Sequence, residues 1–429
     1  MHYILSYLSN FLPLLIVPMP FFESVCVTVW IRVGSRYEDE NQAGIAHFLE
    51  HMAFKGGKKY KNASIVSSAL ESLGAQYNAA TSREWTNFYV KVRKSDLPKA
   101  FDILSDIILY PRFRDEDIDR ERKVIIEEIA MNEDSPSDKV GDIFMEKIYE
   151  GNSLGRDIAG YPKTVKKFVK KDFMKFRKKH YYANNMLITV AGGVKEIEVK
   201  KIAENYFGSL QSGNSHSFEN FFPNQKEPKI ALLHKKTEQA HIVLGFLGYP
   251  RWHQNRYAEN LLATILGKGM SSRLFTEVRE KRGLAYSVGS SVSRFTDVGL
   301  FETYVGVDPK NAIEVVKVIL NEHKKLTETK DEISQKELSK AKEFVKGTLA
   351  LSLEDSSSVN NFFGNRALFA RTEKDIETPK EVFERLDQVT TDEIYQVAKD
   401  IFDINKITIA VVGPFENQSL FKDAISRFL

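Results

Sequence analysis

The sequence predicts an α+β fold of two tandem homologous domains, each a mostly antiparallel sheet packed with helices. Three observations carry this. The chain has 429 residues, and single domains usually run about 100–200. Similar strands recur at one offset. Val27-Thr-Val-Trp-Ile-Arg-Val-Gly34 resembles His241-Ile-Val-Leu-Gly-Phe-Leu-Gly248 (248 − 34 = 214), Tyr89 in Phe88–Val92 matches Tyr304 in Glu302–Val307 (304 − 89 = 215), and Ile188-Thr-Val-Ala191 matches Ile407-Thr-Ile-Ala410 (407 − 188 = 219). Finally, each half mixes helices with strands whose partners lie far apart in sequence, which is the pattern of α+β layers.

The elements follow in order. Phe11 to Val29 is the most apolar stretch, but Pro13, Pro18, Pro20 and Glu23 interrupt it, so it reads as short strands. Gly44 to Phe54 has no Gly or Pro after its first residue and reads as a helix. Asn78-Ala-Ala-Thr81 precedes a strand over Trp85 to Val92, and Asp96 to Leu104 follows as a helix. Asp115 to Met131 is a long helix. Lys163 to Lys179 is lysine-rich, yet Val165, Phe168, Val169, Phe173 and Phe176 form an apolar stripe, so its charges belong to a solvated helix face. Gln211 to Lys229, with Pro223 and Pro228, has little periodicity and reads as the join. The expected division is residues 1–215, a linker over 216–229, and 230–429.

Composition excludes several classes. The apolar fraction is 42%, too high for a disordered chain. Lys plus Arg number 61 against 58 Asp plus Glu, so no broad basic field for nucleic acid exists. The one cysteine, Cys26, excludes an internal disulfide framework and any Cys-rich metal site; in an apolar strand it reads as inert packing. No segment reads as a membrane span. The first ten residues carry no Lys or Arg, and no small-residue cleavage site follows, which argues against a secretory signal. A soluble intracellular protein is expected, in the cytoplasm or an organelle matrix, with no membrane and no nucleic-acid partner.

The chemistry concentrates in Gly44-Ile-Ala-His47-Phe-Leu-Glu50-His51-Met-Ala-Phe54. At about 100° per residue, His47 and His51 lie roughly 40° apart on one face. Two imidazoles at i and i+4 can bind one zinc ion, and a neighbouring carboxylate can activate a water. The apolar neighbours predict burial, and buried ionisable groups need partners. A catalytic zinc needs a third ligand. On the Asp115–Met131 helix, with Glu128 set at 0°, Glu121 falls at about 20° among Ile118, Ile125, Ile129, Val124 and Met131, whereas Glu127 falls at about −100° on the charged side. Glu128 is therefore the expected third ligand, and Glu121 the residue that orients a ligating histidine.

The order His-Phe-Leu-Glu-His is the inverted zinc motif H-x-x-E-H. Together with Gly34-Ser-Arg-Tyr-Glu38, Ala43 through Gly56, Asn78-Ala-Ala-Thr-Ser-Arg-Glu84 and Glu121-Arg-Lys-Val-Ile-Ile-Glu-Glu128, it resembles the pitrilysin family. Within that family it is similar to the mitochondrial processing peptidase branch and the bacterial proteases like it. The resemblance covers nearly the whole chain. It implies the same third ligand, Glu128. It also implies that Arg279 and Tyr286, seven residues apart, contact substrate near the zinc, and that Asn78, Ala79 and Thr81 lie on a sheet edge to which substrate adds as a strand. The second half has no H-x-x-E-H; the corresponding Asn260–Leu266 is apolar. The family begins with Asn-Gly where this chain has Asn10-Phe11.

These observations predict a zinc endopeptidase with one Zn2+ per chain, held by His47, His51 and Glu128. Glu50 is the expected general base, and Arg279 and Tyr286 are expected to bind the substrate carbonyl. The substrate is an extended peptide or unfolded segment. Family enzymes enclose substrate between two pairs of domains; one chain supplies one pair, which implies a homodimer, with a heterodimer as the alternative. The rival readings are a subunit of a heterodimeric processing peptidase or a non-catalytic core protein, and a zinc hydrolase of non-peptide substrates. A silent partner has no need of the metal set, and here that set is complete.

Overall fold

The computed structural model describes residues 1–214 and 216–429; the expected domain end at residue 215 falls on the one residue outside this set. Eleven strands are described: β1 (Ile4–Tyr7), β2 (Pro13–Pro18), β3 (Ser24–Ile31), β4 (Gln76–Thr81), β5 (Thr86–Arg93), β6 (Met186–Gly192), β7 (Lys229–His234), β8 (Ala240–Gly248), β9 (Ala285–Arg294), β10 (Gly299–Val307) and β11 (Thr408–Gly413). They form a six-stranded sheet ordered β1-β2-β6-β3-β5-β4 and a five-stranded sheet ordered β7-β11-β8-β10-β9.

The two orders are one topology used twice. Removing β1 leaves β2-β6-β3-β5-β4, which maps strand for strand onto the second sheet. In each, the first strand runs parallel to the last strand of its half. Every other pairing is antiparallel. The register of the central pair agrees as well: Thr28 pairs with Tyr89, and Val243 with Tyr304, the two tyrosines matched in the sequence. The repeat read from scattered strand text is thus a repeat of pairing, and the fold is α+β as the sequence predicts.

The first core lies on one face of the first sheet. Val25, Val27, Val29 and Ile31 alternate toward it along β3 and pack with Phe48, Phe88, Phe101 and Phe173, all fully or nearly buried. Val165, Phe168, Phe173 and Phe176 belong to the same core, while Val169 is exposed at the start of the helix Lys170–His180.

The chain divides into two compact units, neither of them contiguous. The first comprises Met1–Ile129, Arg156–Glu219 and Leu349–Val382; the second comprises Ala130–Gly155, Asn220–Thr348 and Phe383–Leu429. Each therefore takes in a helix from the other half of the chain. In the first unit, the helix Ser356–Phe369 covers the sheet face opposite the main core. Asn360 Nδ2 donates to the carbonyls of Cys26 (2.8 Å) and Thr189 (2.9 Å), and Trp30 Nε1 donates to Thr189 Oγ1 (2.9 Å). In the second unit, the helix Pro136–Ile148 packs Val140, Phe144 and Ile148 against Val243, Ala410 and Val412.

The contact between sheet and borrowed helix inverts from one unit to the other. In the first, a Cβ added to Gly364 would lie 2.6 Å from the Trp30 ring; in the second, one added to Gly245 would lie 2.6 Å from Phe144 Cζ. Trp30 and Gly245 hold the same register position, opposite Asn87 and Glu302, each two residues before the matched tyrosines. Large strand residue on small helix residue becomes small on large. Among the described residues, no helix is long and apolar enough to cross a membrane.

Candidate metal centre

The motif helix spans Ile45–Ala53 and buries Ile45, Ala46, Phe48, Leu49 and Met52 in the first core. Gly44 starts it at φ 94°, in the left-handed region. A Cβ there would also meet the Ala159 carbonyl oxygen at 2.4 Å. The buried carboxylate of Glu38 serves the N–H donors of the first turn that lack a partner within the helix: Gly44 N–H donates to Oε2 and Ala46 N–H to Oε1, each at 2.8 Å. Burial pushes the Glu38 carboxyl up to about 8 against the pull of those two donors. Rigid entry fixes the rotation of the helix, and so the direction of both histidines.

His47 and His51 then project side by side. Their Nε2 atoms are 3.2 Å apart. Two nitrogens bound to one tetrahedral zinc at ~2.0–2.1 Å stand roughly 3.3 Å apart, so this spacing fits a shared ion. Glu128 reaches the same point from the helix Asp115–Asp134: Oε1 is 3.8 Å from His47 Nε2, and Oε2 is 3.7 Å from His51 Nε2. The three side chains form the group able to hold a metal ion among the described residues, with one ligand atom from each within 4.8 Å of the others. Burial, then the neighbouring His51, pushes the His47 imidazole down to about 4, leaving it neutral with a lone pair to give.

A further carboxylate orients the second histidine. Glu121 Oε1 lies 2.9 Å from His51 Nδ1, which fixes the proton there and leaves Nε2 free to coordinate. Lys55 Nζ holds the other oxygen at 2.5 Å. Burial alone would raise the Glu121 pKa, but the bonds from His51 and Lys55 outweigh it and lower it. For His51, burial opposes protonation, yet the Glu121 bond and the charges of Glu50, Glu121 and Glu128 raise its pKa. Lys55 was not foreseen; its signal is its place four residues after His51, beside the next turn.

Glu128 departs from the wheel expectation. Glu121 is buried, but the Glu128 side chain is 46% exposed. Val124 and Met131, placed on the apolar face by periodicity, are exposed too. The buried stripe is the narrower set Ile118, Glu121, Ile125 and Ile129. Glu128 therefore stands at the rim, where an ion held by it is reachable from solvent.

Glu50 stands about 60° around the helix from His47, on the side away from His51. Its Oε2 accepts a hydrogen bond from Thr81 Oγ1 at 2.5 Å. Burial raises the Glu50 carboxyl pKa, the Thr81 bond and His51 pull it down, and Glu128 raises it further. Asn78, Ala79 and Thr81 belong to β4, which pairs antiparallel with β5. It is the last strand of its sheet, paired only with β5 among the described residues. Its outer backbone groups are thus presented to a further strand.

In the second unit, Arg279 lies on the short helical turn Phe275–Glu280 and Tyr286 near the start of β9. Arg279 Nη1 donates to the Tyr286 carbonyl at 3.1 Å, and the guanidinium stands 4.8 Å from the Tyr286 ring centroid. The ring is 77% exposed. The motif region of this unit is the apolar helix Arg256–Gly267.

Comparison with known proteins fits this architecture. A family model described as "Insulinase (Peptidase family M16)" matches residues 17–161, and one described as "Peptidase M16 inactive domain" matches 167–345. A zinc protease of Rickettsia felis is 36% identical over 412 residues, covering 96% of this chain and 97% of the relative. One from Streptomyces coelicolor is 34% identical over 416 residues, covering 95% and 89%. The crystal structure of a Helicobacter pylori protease superimposes with a TM-score of 0.89 at 25% identity, covering 96% of this chain and 99% of that one. A Pseudomonas fluorescens structure described as a peptidase M16 inactive domain shares the fold, with a TM-score of 0.87 at 19% identity over 97% and 98% of the two chains. With both halves matched in order and relatives of this identity along nearly its full length, the chain belongs to peptidase family M16, the pitrilysin family of zinc peptidases.

Proposed function

We propose that this protein is a zinc-dependent endopeptidase that cleaves peptides or unfolded segments held in extended form. The observation that carries the reading is the convergence of His47, His51 and Glu128 beside Glu50, with Glu121 orienting His51. Zinc held there would supply a Lewis acid for the scissile carbonyl and an acidified water. Glu50 takes a proton from the water as its oxygen adds to the carbonyl carbon. The same carboxyl then gives that proton to the departing amine as the C–N bond breaks. A raised pKa suits a group that must both accept and release a proton near neutrality.

Substrate main chain pairs with the free edge of β4, which accepts many sequences because backbone does the binding. Arg279 and Tyr286 hold the substrate carbonyl and stabilise its developing charge. They act from the second chain of a homodimer, whose chamber encloses the peptide. The rival reading, a silent subunit, finds support in the description "inactive domain" for the model matching residues 167–345. That segment excludes His47, Glu50, His51 and Glu128.

Cleavage of an unstructured peptide by the wild-type and Glu50→Gln chains, each with and without chelator, tests the proposal. Loss of about 10²-fold or more in kcat is expected for Glu50→Gln, and chelation should abolish wild-type cleavage. Equal activity in all four arms would end the peptidase reading.

A further inference from the structure

On the sheet face opposite the main core, a recess of about 370 Å3 runs from β3 across β5 to β4. Its floor includes Trp30 and its walls Trp85 and Tyr89, with Asn78 and Ala80 at the β4 lip and Ser357 on the borrowed helix. The Trp30 and Trp85 rings meet edge to face, with centroids 5.3 Å apart. Trp30 itself is fully buried, anchored through Nε1 to Thr189. No lining residue carries a charge. The volume is many times the ~30 Å3 share of a water molecule, and the walls are aromatic and amide, so the recess suits a large uncharged side chain.

Strand geometry connects this recess to the cleavage site. Residues along β4 alternate: Gln76, Asn78 and Ala80 are exposed, while Tyr77, Ala79 and Thr81 are half-buried. Tyr77 and Ala79 pack on the main core, and Thr81 bonds to Glu50. Asn78 and Ala80 point to the opposite face, at the mouth of the recess. A peptide added to the β4 edge repeats this alternation, because successive side chains of a strand point to opposite faces. Side chains of one parity face Glu50. Those of the other parity face the recess.

We infer that this recess is a substrate subsite that selects a large uncharged side chain, aromatic above all, one or three residues from the position facing Glu50. The inference rests on the peptidase reading above. It assigns to Trp85 and Tyr89 a role in specificity, with buried Trp30 supporting Trp85 from behind, and makes Ala80 the gatekeeper: its small side chain leaves the mouth open.

The test uses the full-length protein and quenched peptides in which each position in turn is Phe, Asp or Arg. At one position, wild type should prefer Phe over Asp by about tenfold or more in kcat/KM. Ala80→Trp, an exposed substitution that blocks the mouth, should collapse that preference. Ala80→Asp should raise Arg at the same position by about tenfold, since an introduced charge selects its opposite. Trp85→Ala should weaken the Phe preference as well. If both Ala80 variants keep the wild-type preference at every position while cleavage still requires Glu50, the subsite is overturned and the peptidase reading stands. If cleavage persists in Glu50→Gln, the peptidase reading falls and the subsite with it.

Discussion

Single residues in this fold record where sequence and backbone disagree. Phe11 turns the chain between β1 and β2 at φ 65°, in the left-handed region that favours glycine. It does so because Asn10 is pinned: its Nδ2 donates to the carbonyls of Phe207 and Leu210, each at 2.8 Å. The Phe11 ring is 73% exposed, so it gains little from packing. Phe11→Gly should therefore stabilise the protein by about 0.5–1 kcal/mol, the relief of strain exceeding the added freedom of the unfolded chain; chemical denaturation measures it. His323 is a second case. It stacks on Phe402 at 4.4 Å, both ring nitrogens lack partners, and burial pushes it down to about 3. The folded state holds it neutral while the unfolded chain protonates it near pH 6.5. Its contribution is complete above that pH and is lost as pH falls toward 3. The stability of His323→Phe relative to wild type should rise by about 1.4 kcal/mol per pH unit below 6.5. Denaturation midpoints at pH 7.5 and 5.5 decide it, and a constant difference would refute it. The pairing of His47 with His51 was legible in the sequence because i,i+4 spacing on a helix is local; Glu128, on another helix, needed the wheel and the family resemblance. Lys55 and the Thr81 bond to Glu50 were not legible, because they depend on which elements meet.

At the scale of elements, periodicity found the helices and mistook one face. The Asp115–Asp134 helix was correctly expected to turn Glu121 inward, yet Val124 and Met131 are exposed. A wheel assumes a broad apolar stripe, and this helix buries a narrow one. The β4 strand was expected only from the family resemblance, because Asn-Ala-Ala-Thr has weak strand propensity; its pairing with β5 supplies what propensity does not. Recurrence of strands located the two sheets but could not show that each borrows a helix. The borrowed helix Ser356–Phe369 depends on Gly364, because any Cβ there meets the Trp30 ring. Gly364→Ala should cost about 1–3 kcal/mol by overpacking, despite its better helix propensity. A combined Trp30→Leu, Gly364→Ala protein should recover part of that loss; equal melting of wild type and Gly364→Ala would contradict this contact.

For the molecule as a whole, the duplication assigns different work to equal frames. One unit carries the histidines on the helix Ile45–Ala53 and Glu128 on Asp115–Asp134; the other carries the apolar helix Arg256–Gly267 in the motif's place, and holds Arg279 against Tyr286. If the second chain of a dimer supplies Arg279 and Tyr286, then Glu50→Gln and Tyr286→Phe chains, each inactive alone, should complement when mixed. Recovery to about a quarter of wild-type activity is expected, since half the dimers are mixed and each contains one intact site. No recovery after confirmed subunit exchange would place the pair in the same chain as its zinc.

The borrowed helices also set a timetable for synthesis. The first sheet is complete once β6 has left the ribosome, but the helix that seals its Trp30 face lies beyond residue 348. Until then Trp30, Thr189 and the backbone they anchor stay open to water and to other nascent chains. The second unit waits in turn for β11, whose residues follow all the other strands in the chain. The first unit cannot finish before the segment Leu349–Val382 is made, so its final packing is expected late in synthesis. Its dependence on folding helpers should follow the length of that wait more than the stability of the finished molecule.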